Sequence, residues 1–229
     1  MAKDAAAVIV AGGKGLRFGG TVRKQYLSLR GRSIIWWSLQ AFQKSPSFGS
    51  IVLVVPKDDV PEVRRLCRRW SFSKLLSIVP GGKTRTDSVR QGLAEVPDRF
   101  RWVAVHDAVR PLIRTKEIEA VLKAAKKYKA AIAAWPSRDT VKLADAKGFI
   151  RATPPREQAW LAQTPQIFER RLLEKAYGAG KNLSATDDSQ LVERLGVRVK
   201  LVQASAENLK ITFPPDLILA RSIMNERSI

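Results

Sequence analysis

The 229-residue sequence lacks much that would narrow a protein's chemistry quickly. It has one cysteine, Cys67, which excludes an internal disulfide and a multi-cysteine metal cluster. Arg64, Arg65, Arg68 and Arg69 surround it, a setting that lowers the pKa of an exposed thiol. The plainer reading, a half-buried helix residue, is preferred. His106 is the sole histidine and invites a Ser-His-Asp reading. No G-x-S-x-G elbow supports that reading, so His106 is expected to pack or to support other groups. No apolar run is long enough to span a bilayer, and no charged-then-apolar leader is evident. The expectation is a soluble, cytoplasmic protein.

Negative charge is scarce as well. Lys and Arg number 41 against 21 Asp and Glu, a formal net charge of +20. A nucleic acid, a small polyanionic substrate or a general surface bias would each account for it. The basic residues fall in short clusters such as Arg64 to Arg69 and Lys123 to Lys129. No basic tail, recognition helix or RNP-like aromatic motif accompanies them, so charge alone implies an anionic partner of unspecified size.

The stretch that organises the rest is AGGKGLRFGG, Ala11 to Gly20, directly after the apolar run Ala5 to Val10. A buried strand entering a glycine-rich turn, with Lys14, Arg17 and Lys24 close by, offers backbone N–H donors and cations to a polyphosphate. An ordinary glycine-rich strand–helix turn explains the stretch equally well. The dinucleotide fingerprint fails at Phe18, and a P-loop fails at Ser77 in SIVPGGKT.

Further along, Ile51 to Val55, Leu75 to Val79, Trp102 to Val105 and Ala131 to Trp135 read as buried strands. Between them lie helical patterns at Ser33 to Gln43 (face Ile34, Trp37, Ala41, Phe42), Asp58 to Trp70, Thr84 to Ala94, and one capped by Thr115. Trp36 and Trp37, at helical spacing, read as core or interface residues. This βαβ rhythm predicts an α/β fold with a mostly parallel sheet and helices on both faces. Right-handed crossovers then bring the first loop, Gly81-Gly82 and His106-Asp107 to one sheet edge.

The rhythm breaks at Pro136. Val141 to Leu143 and Phe149-Ile150, around Ala146-Lys147-Gly148, suggest an exposed hairpin within 137–158. Isolated hairpins are marginal in water, so a second subunit is the economical partner. Beyond it, Trp160 to Gln166 reads as a return strand and Phe168 to Tyr177 as a helix. Asp187 to Leu195 follows as a helix with an Asp187/Gln190 capping box and Gly196 as its stop; the box also explains Asp187-Asp188 without a metal. Arg198 to Gln203 is a strand and Pro215 to Met224 a final helix. One domain, 1–229, is expected.

Taken together, AGGKGLRFG with KQYL (Lys24 to Leu27), GGKTRTDSV (Gly81 to Val89), HDAVRP (His106 to Pro111), RDTVK (Arg138 to Lys142), TPQIF (Thr164 to Phe168), TDD (Thr186 to Asp188) and ENLKIT (Glu207 to Thr212) resemble the 2-C-methyl-D-erythritol 4-phosphate cytidylyltransferases. The resemblance spans essentially the whole chain. It implies a Rossmann-like nucleotidyltransferase fold with a protruding β-hairpin arm (137–158), a Mg²⁺-dependent homodimer, and formation of CDP-methylerythritol and pyrophosphate from CTP and methylerythritol phosphate, a step of non-mevalonate isoprenoid synthesis. By the same resemblance, Arg17 and Lys24 stabilise the transition state and Lys14 binds phosphate. Ala11, Gly12, Gly13, Gly81, Gly82 and Ser88 hold the CTP. Asp107 and Arg110 line the acceptor site, with Asp107 near the metal. Arg156 and Lys210 position the acceptor's phosphate, with Thr140 from the neighbour's arm and Thr164 beside them. Two departures stand out: the family usually has Pro where this chain has Arg23, and often an acidic residue where it has Lys83. A ribitol-5-phosphate cytidylyltransferase, a nucleic-acid-binding protein and a relative that only binds CTP are the alternatives.

Overall fold

The structure, a computed structural model, describes residues 3–12, 23–179 and 185–227. Its centre is β1 (Ala5–Val10), six consecutive buried residues. Ala5, Ala7 and Ile9 join one core while Ala6, Val8 and Val10 join the other. That division is what a period of two produces in a strand covered on both faces.

In chain order there follow β2 (Ser28–Leu29), β3 (Arg32–Ser33), α1 (Ile34–Lys44), β4 (Phe48–Val55), α2 (Val60–Trp70), β5 (Leu75–Pro80), α3 (Arg85–Ala94), β6 (Trp102–Asp107), α4 (Thr115–Tyr128) and β7 (Ala130–Pro136). Then come β8 (Leu143–Ala144), β9 (Ile150–Ala152), β10 (Trp160–Glu169), α5 (Arg170–Gly178), α6 (Asp188–Glu193), β11 (Lys200–Gln203) and α7 (Pro214–Glu226). Among the described residues, seven strands form one sheet in the order β11-β7-β10-β6-β1-β4-β5. Only β10 runs antiparallel to its neighbours in that sheet, lying between β6 and β7. α1, α2 and α4 cover one face through Leu39, Phe42, Val63, Ile118 and Val121. α3, α5 and α6 cover the other through Val89, Leu93, Leu173, Leu191 and Val192. A third cluster, with Leu29, Ile34, Val109, Ile211 and Leu217, seats α7 against the edge where the parallel strands end.

Backbone hydrogen bonds knit those ends together. The Ala11 N–H donates to the Val54 carbonyl at 2.7 Å, the Gly81 N–H to that of Val55 at 2.7 Å, and the Ala108 N–H to that of Val10 at 2.9 Å. The loops after β1, β5 and β6 therefore meet, as the crossover argument predicts.

Several boundaries differ from expectation for identifiable reasons. Phe168 belongs to β10, not to the following helix, and is fully buried against β6 and β7. Thr115 opens α4 instead of capping it; the Glu117 carboxylate takes the Arg114 N–H at 2.9 Å. In α1 the buried residues are Ile34, Ile35, Ser38, Leu39 and Phe42, because that helix contacts both the sheet and α7. The Asp187 side chain does accept the Gln190 N–H, yet the Gln190 side chain takes the N–H of Thr186, so the box is half formed. Cys67 is buried, and burial pushes its thiol up to about 12 despite the flanking arginines.

β8 and β9 pair antiparallel with each other, and the Asp145 carboxylate closes their turn on the N–H groups of Lys147 and Phe149. Leu143, Phe149 and Ile150 on this hairpin are exposed, Phe149 to 70%. Among the described residues no helix is long and apolar enough to cross a membrane.

Candidate active site

A cleft of about 580 Å³ opens where the strand ends meet. Val10, Ala11 and Gly12 form one wall, Gly82 to Arg85 and Ser88 another, and Lys24, Gln25, Asp107, Val109 and Lys210 close it.

The first wall is held by Gln25, whose side-chain amide donates to the Ala11 carbonyl at 2.9 Å. Lys24, in the same short 3-10 turn, is only 9% exposed and lines the cleft. Arg23 has φ −63° and ψ 135°. Those angles suit proline, so the departure at this position keeps the backbone a proline would impose. The Arg23 side chain ion-pairs with Asp59, which also accepts the Tyr26 hydroxyl proton at 2.8 Å. Gly13, Lys14 and Arg17 lie outside the described residues.

The second wall is the start of α3. Thr84 and Asp87 form a reciprocal capping box, with bonds of 3.0 and 3.1 Å between each side chain and the other's N–H. The helix thus presents its partial positive end to the cleft. Ser88, buried, accepts the Gly82 N–H at 3.1 Å and donates to the Thr84 carbonyl at 2.9 Å. Close approach explains the glycines: a Cβ on Gly81 would lie 2.9 Å from Ser88 Oγ, and one on Gly82 only 2.3 Å from Asp87 Cβ.

Opposite stands Asp107, 7% exposed, at the end of β6. Its Oδ2 meets Lys210 Nζ at 2.8 Å and its Oδ1 meets Arg85 Nε at 3.2 Å. Arg110 Nε lies 4.0 Å from Oδ2 and is itself buried without a hydrogen-bond partner among the described residues. Burial alone would raise the Asp107 pKa, but Arg85, Lys210 and Arg110 outweigh it and hold the carboxyl well below the usual range. Lys210 is brought here by the Ile211 N–H, which donates to the Val109 carbonyl at 2.9 Å.

Beneath Asp107, Thr164 and His106 form a closed network. The Asp107 N–H donates to Thr164 Oγ1 at 3.0 Å, and that hydroxyl lies 3.1 Å from His106 Nδ1. His106 Nε2 lies 3.3 Å from the Arg110 carbonyl. A carbonyl only accepts, so Nε2 carries the proton and Nδ1 accepts from Thr164. Burial lowers the His106 pKa to about 4, with the negative charge of Asp107 opposing it. Thr164, 4% exposed, therefore sits under the cleft instead of lining it.

Arg156 and Thr140 lie elsewhere. They hydrogen-bond to each other at 3.3 Å, exposed, on the segments flanking the β8/β9 hairpin, and neither lines the cleft of its own chain. Gln25 and Arg85, to which motif reading gave no role, also matter, as does Asp188, which was read only as part of a helix cap. All three fall inside or beside the quoted motifs, and the first turn of a helix starting at a strand end was the available signal for Arg85.

Cations and N–H donors dominate this cleft, and Asp107 is its only carboxylate among the described residues. On a mostly parallel sheet with glycines at the strand ends, that composition suits the phosphates of a nucleotide. Comparison with known proteins narrows the class. The family model for 2-C-methyl-D-erythritol 4-phosphate cytidylyltransferase matches residues 5–226, and the chain belongs to that family. The enzyme of that name from Desulforamulus reducens is 42% identical over 225 residues, covering 97% of this chain and 96% of the relative. That from Endomicrobium trichonymphae is 45% identical over 219 residues, covering 96% and 98%. Among solved structures, the 4-diphosphocytidyl-2C-methyl-D-erythritol synthase of Anaerococcus prevotii superposes with a TM-score of 0.85 at 30% identity, covering 96% of this chain and 98% of that one.

Proposed function

We propose that the cytidylyl transfer which family membership gives this chain proceeds by charge neutralisation, without a general base. An oxygen of the 2-C-methyl-D-erythritol 4-phosphate monoester attacks the α-phosphorus of CTP. One P–O bond forms, the bond to the β-phosphate breaks, and its electron pair leaves with pyrophosphate. The monoester's second pKa is about 6, so the nucleophile is already ionised near neutral pH. The one histidine agrees with this: buried, neutral and bonded at both nitrogens, it has no proton-accepting atom free to face a substrate.

The barrier is repulsion between anions, and aligned cations lower it. Lys24, buried at the cleft, serves the α-phosphate, with Arg17 and Lys14 from the same loop. Gly81, Gly82, Ser88 and the backbone at Ala11 and Gly12 hold the nucleotide base. Asp107, Arg110 and Lys210 form the acceptor side. A divalent cation carried mainly by nucleotide phosphates suits this donor set, because such ions need only one or two protein carboxylates and Asp107 supplies one. When bound, Mg²⁺ would add positive charge at the triphosphate.

The homodimer of this reading has Arg156 and Thr140, held together by their hydrogen bond, reach a partner's cleft, the 137–158 segment being the arm. The exposed Leu143, Phe149 and Ile150 on that arm call for the same covering.

The observation that carries this reading is the Lys210–Asp107 pair facing Lys24 and Ser88 across one cleft. A pyrophosphate-release assay with CTP, Mg²⁺ and a panel of polyol phosphates tests it. Methylerythritol phosphate should turn over fastest; preference for ribitol 5-phosphate would replace the acceptor assignment, and no turnover with any of them would remove the activity.

A further inference from the structure

Arg85 spends every nitrogen of its guanidinium on two carboxylates from distant parts of the chain. Nε donates to Asp107 Oδ1 at 3.2 Å, while Nη1 and Nη2 donate to Asp188 Oδ1 and Oδ2 at 2.9 and 2.8 Å. Asp188 is completely buried and takes no part in lining the cleft. It is fixed on every side. The Tyr177 hydroxyl donates to its Oδ1, and Gln166 Oε1 accepts the N–H groups of Asp188 and Ser189 at 3.0 and 2.9 Å. Asp188 is thus the anchor and Asp107 the group held in place.

We propose that Arg85 is a positioning residue for the acceptor phosphate. Anchored on Asp188, it retains one oxygen of Asp107 and leaves only the other to Lys210, whose side chain stays 41% exposed at the cleft. Released from Arg85, the Asp107 carboxylate would turn both oxygens toward Lys210 and Arg110 and draw the Lys210 ammonium away from an incoming anion. Only a planar fork can serve both carboxylates at once; a lysine ammonium reaches one of them. The assignment rests on the cytidylyl-transfer reading above.

Steady-state kinetics on the full-length enzyme test it, using Asp188→Asn, Arg85→Lys and Tyr177→Phe, the last outside the cleft lining. Each should raise KM for methylerythritol phosphate, roughly tenfold or more for the first two and less for Tyr177→Phe. In Asp188→Asn and Tyr177→Phe, both outside the cleft lining, KM for CTP and CTP affinity by calorimetry should stay within about twofold. The double variant Arg85→Lys/Asp188→Asn should be no worse than the poorer single, since both break one linkage. Unchanged acceptor KM in variants that melt with the wild type overturns the proposal, as does an equal rise for CTP in Asp188→Asn or Tyr177→Phe. Should Asp188→Asn fail to fold, Arg85→Lys and Tyr177→Phe read the same quantity. Wild-type enzyme that releases no pyrophosphate would instead sink the underlying activity, a separate result.

Discussion

Lys210 Nζ and Asp107 Oδ2 stand 2.8 Å apart, joining the end of β6 to the segment before α7 across about a hundred residues of chain. Asp107 is buried and Lys210 is not, so the pair leaves a cation at the cleft with one side already compensated. An arriving phosphate meets an ammonium oriented by a carboxylate and does not have to order a free side chain.

Lys210→Ala should therefore raise KM for the sugar phosphate by roughly ten- to a hundredfold, the range for a charge-assisted hydrogen bond. KM for CTP should hardly move. A change confined to CTP would reassign Lys210 to the nucleotide.

Lys24 is argued to act on the reacting phosphorus, where its charge counts for more in the transition state than in the ground state. Lys24→Ala should then lower kcat by about 10²- to 10³-fold, the usual cost of one such electrostatic donor. CTP affinity, measured by calorimetry, should fall far less. Equal losses in both would mean uniform binding of the triphosphate.

Cys67 gives a prediction with no bearing on catalysis. Its thiol is buried and pushed up to about 12, so almost no thiolate exists at pH 8. A disulfide reagent should label it slowly in the folded protein and rapidly in strong denaturant. Fast labelling of the native state would show the α2 arginines governing the thiol instead of its burial.

These side chains differ in how far the sequence revealed them. The central sheet was legible because six apolar residues run straight into glycines and the pattern recurs with helices between. Gly81 and Gly82 were visible as the turn closing a strand and Thr84 to Ala94 as the helix after it, but a nucleotide role for them and for Ser88 came only from the resemblance. Strand order was not legible: Trp160 to Glu169 shows continuous burial from Gln163 to Phe168, which carries no mark of its antiparallel place between β6 and β7. Thr164 was placed among acceptor ligands because a motif gives proximity but not where a hydroxyl points. Arg85 went unnoticed for a related reason, since its anchor Asp188 lies 103 residues away and reaches it only through the packing of α6.

His106 supplies the last prediction, and its sign follows from its hydrogen bonds. Nδ1 accepts from Thr164 and Nε2 donates to the Arg110 carbonyl, so the folded protein keeps the ring neutral. Its pKa falls to about 4 from an ordinary 6.5, first through burial. Between those values the unfolded chain binds a proton that the native state refuses. Stability from this group is complete above pH 6.5 and is lost as pH falls toward 4, amounting to about 3 kcal/mol across the interval. Carboxylates titrate in part of the same window, so the wild type alone does not isolate the effect. His106→Gln has no such proton to gain, and the difference between the two unfolding free energies should shrink steadily as the buffer is taken from pH 7 to pH 4.5. A difference independent of pH over that range would mean the imidazole takes up a proton as readily in the folded protein as in the unfolded chain, and the proposed tautomer and the Thr164 network under Asp107 would both have to be abandoned.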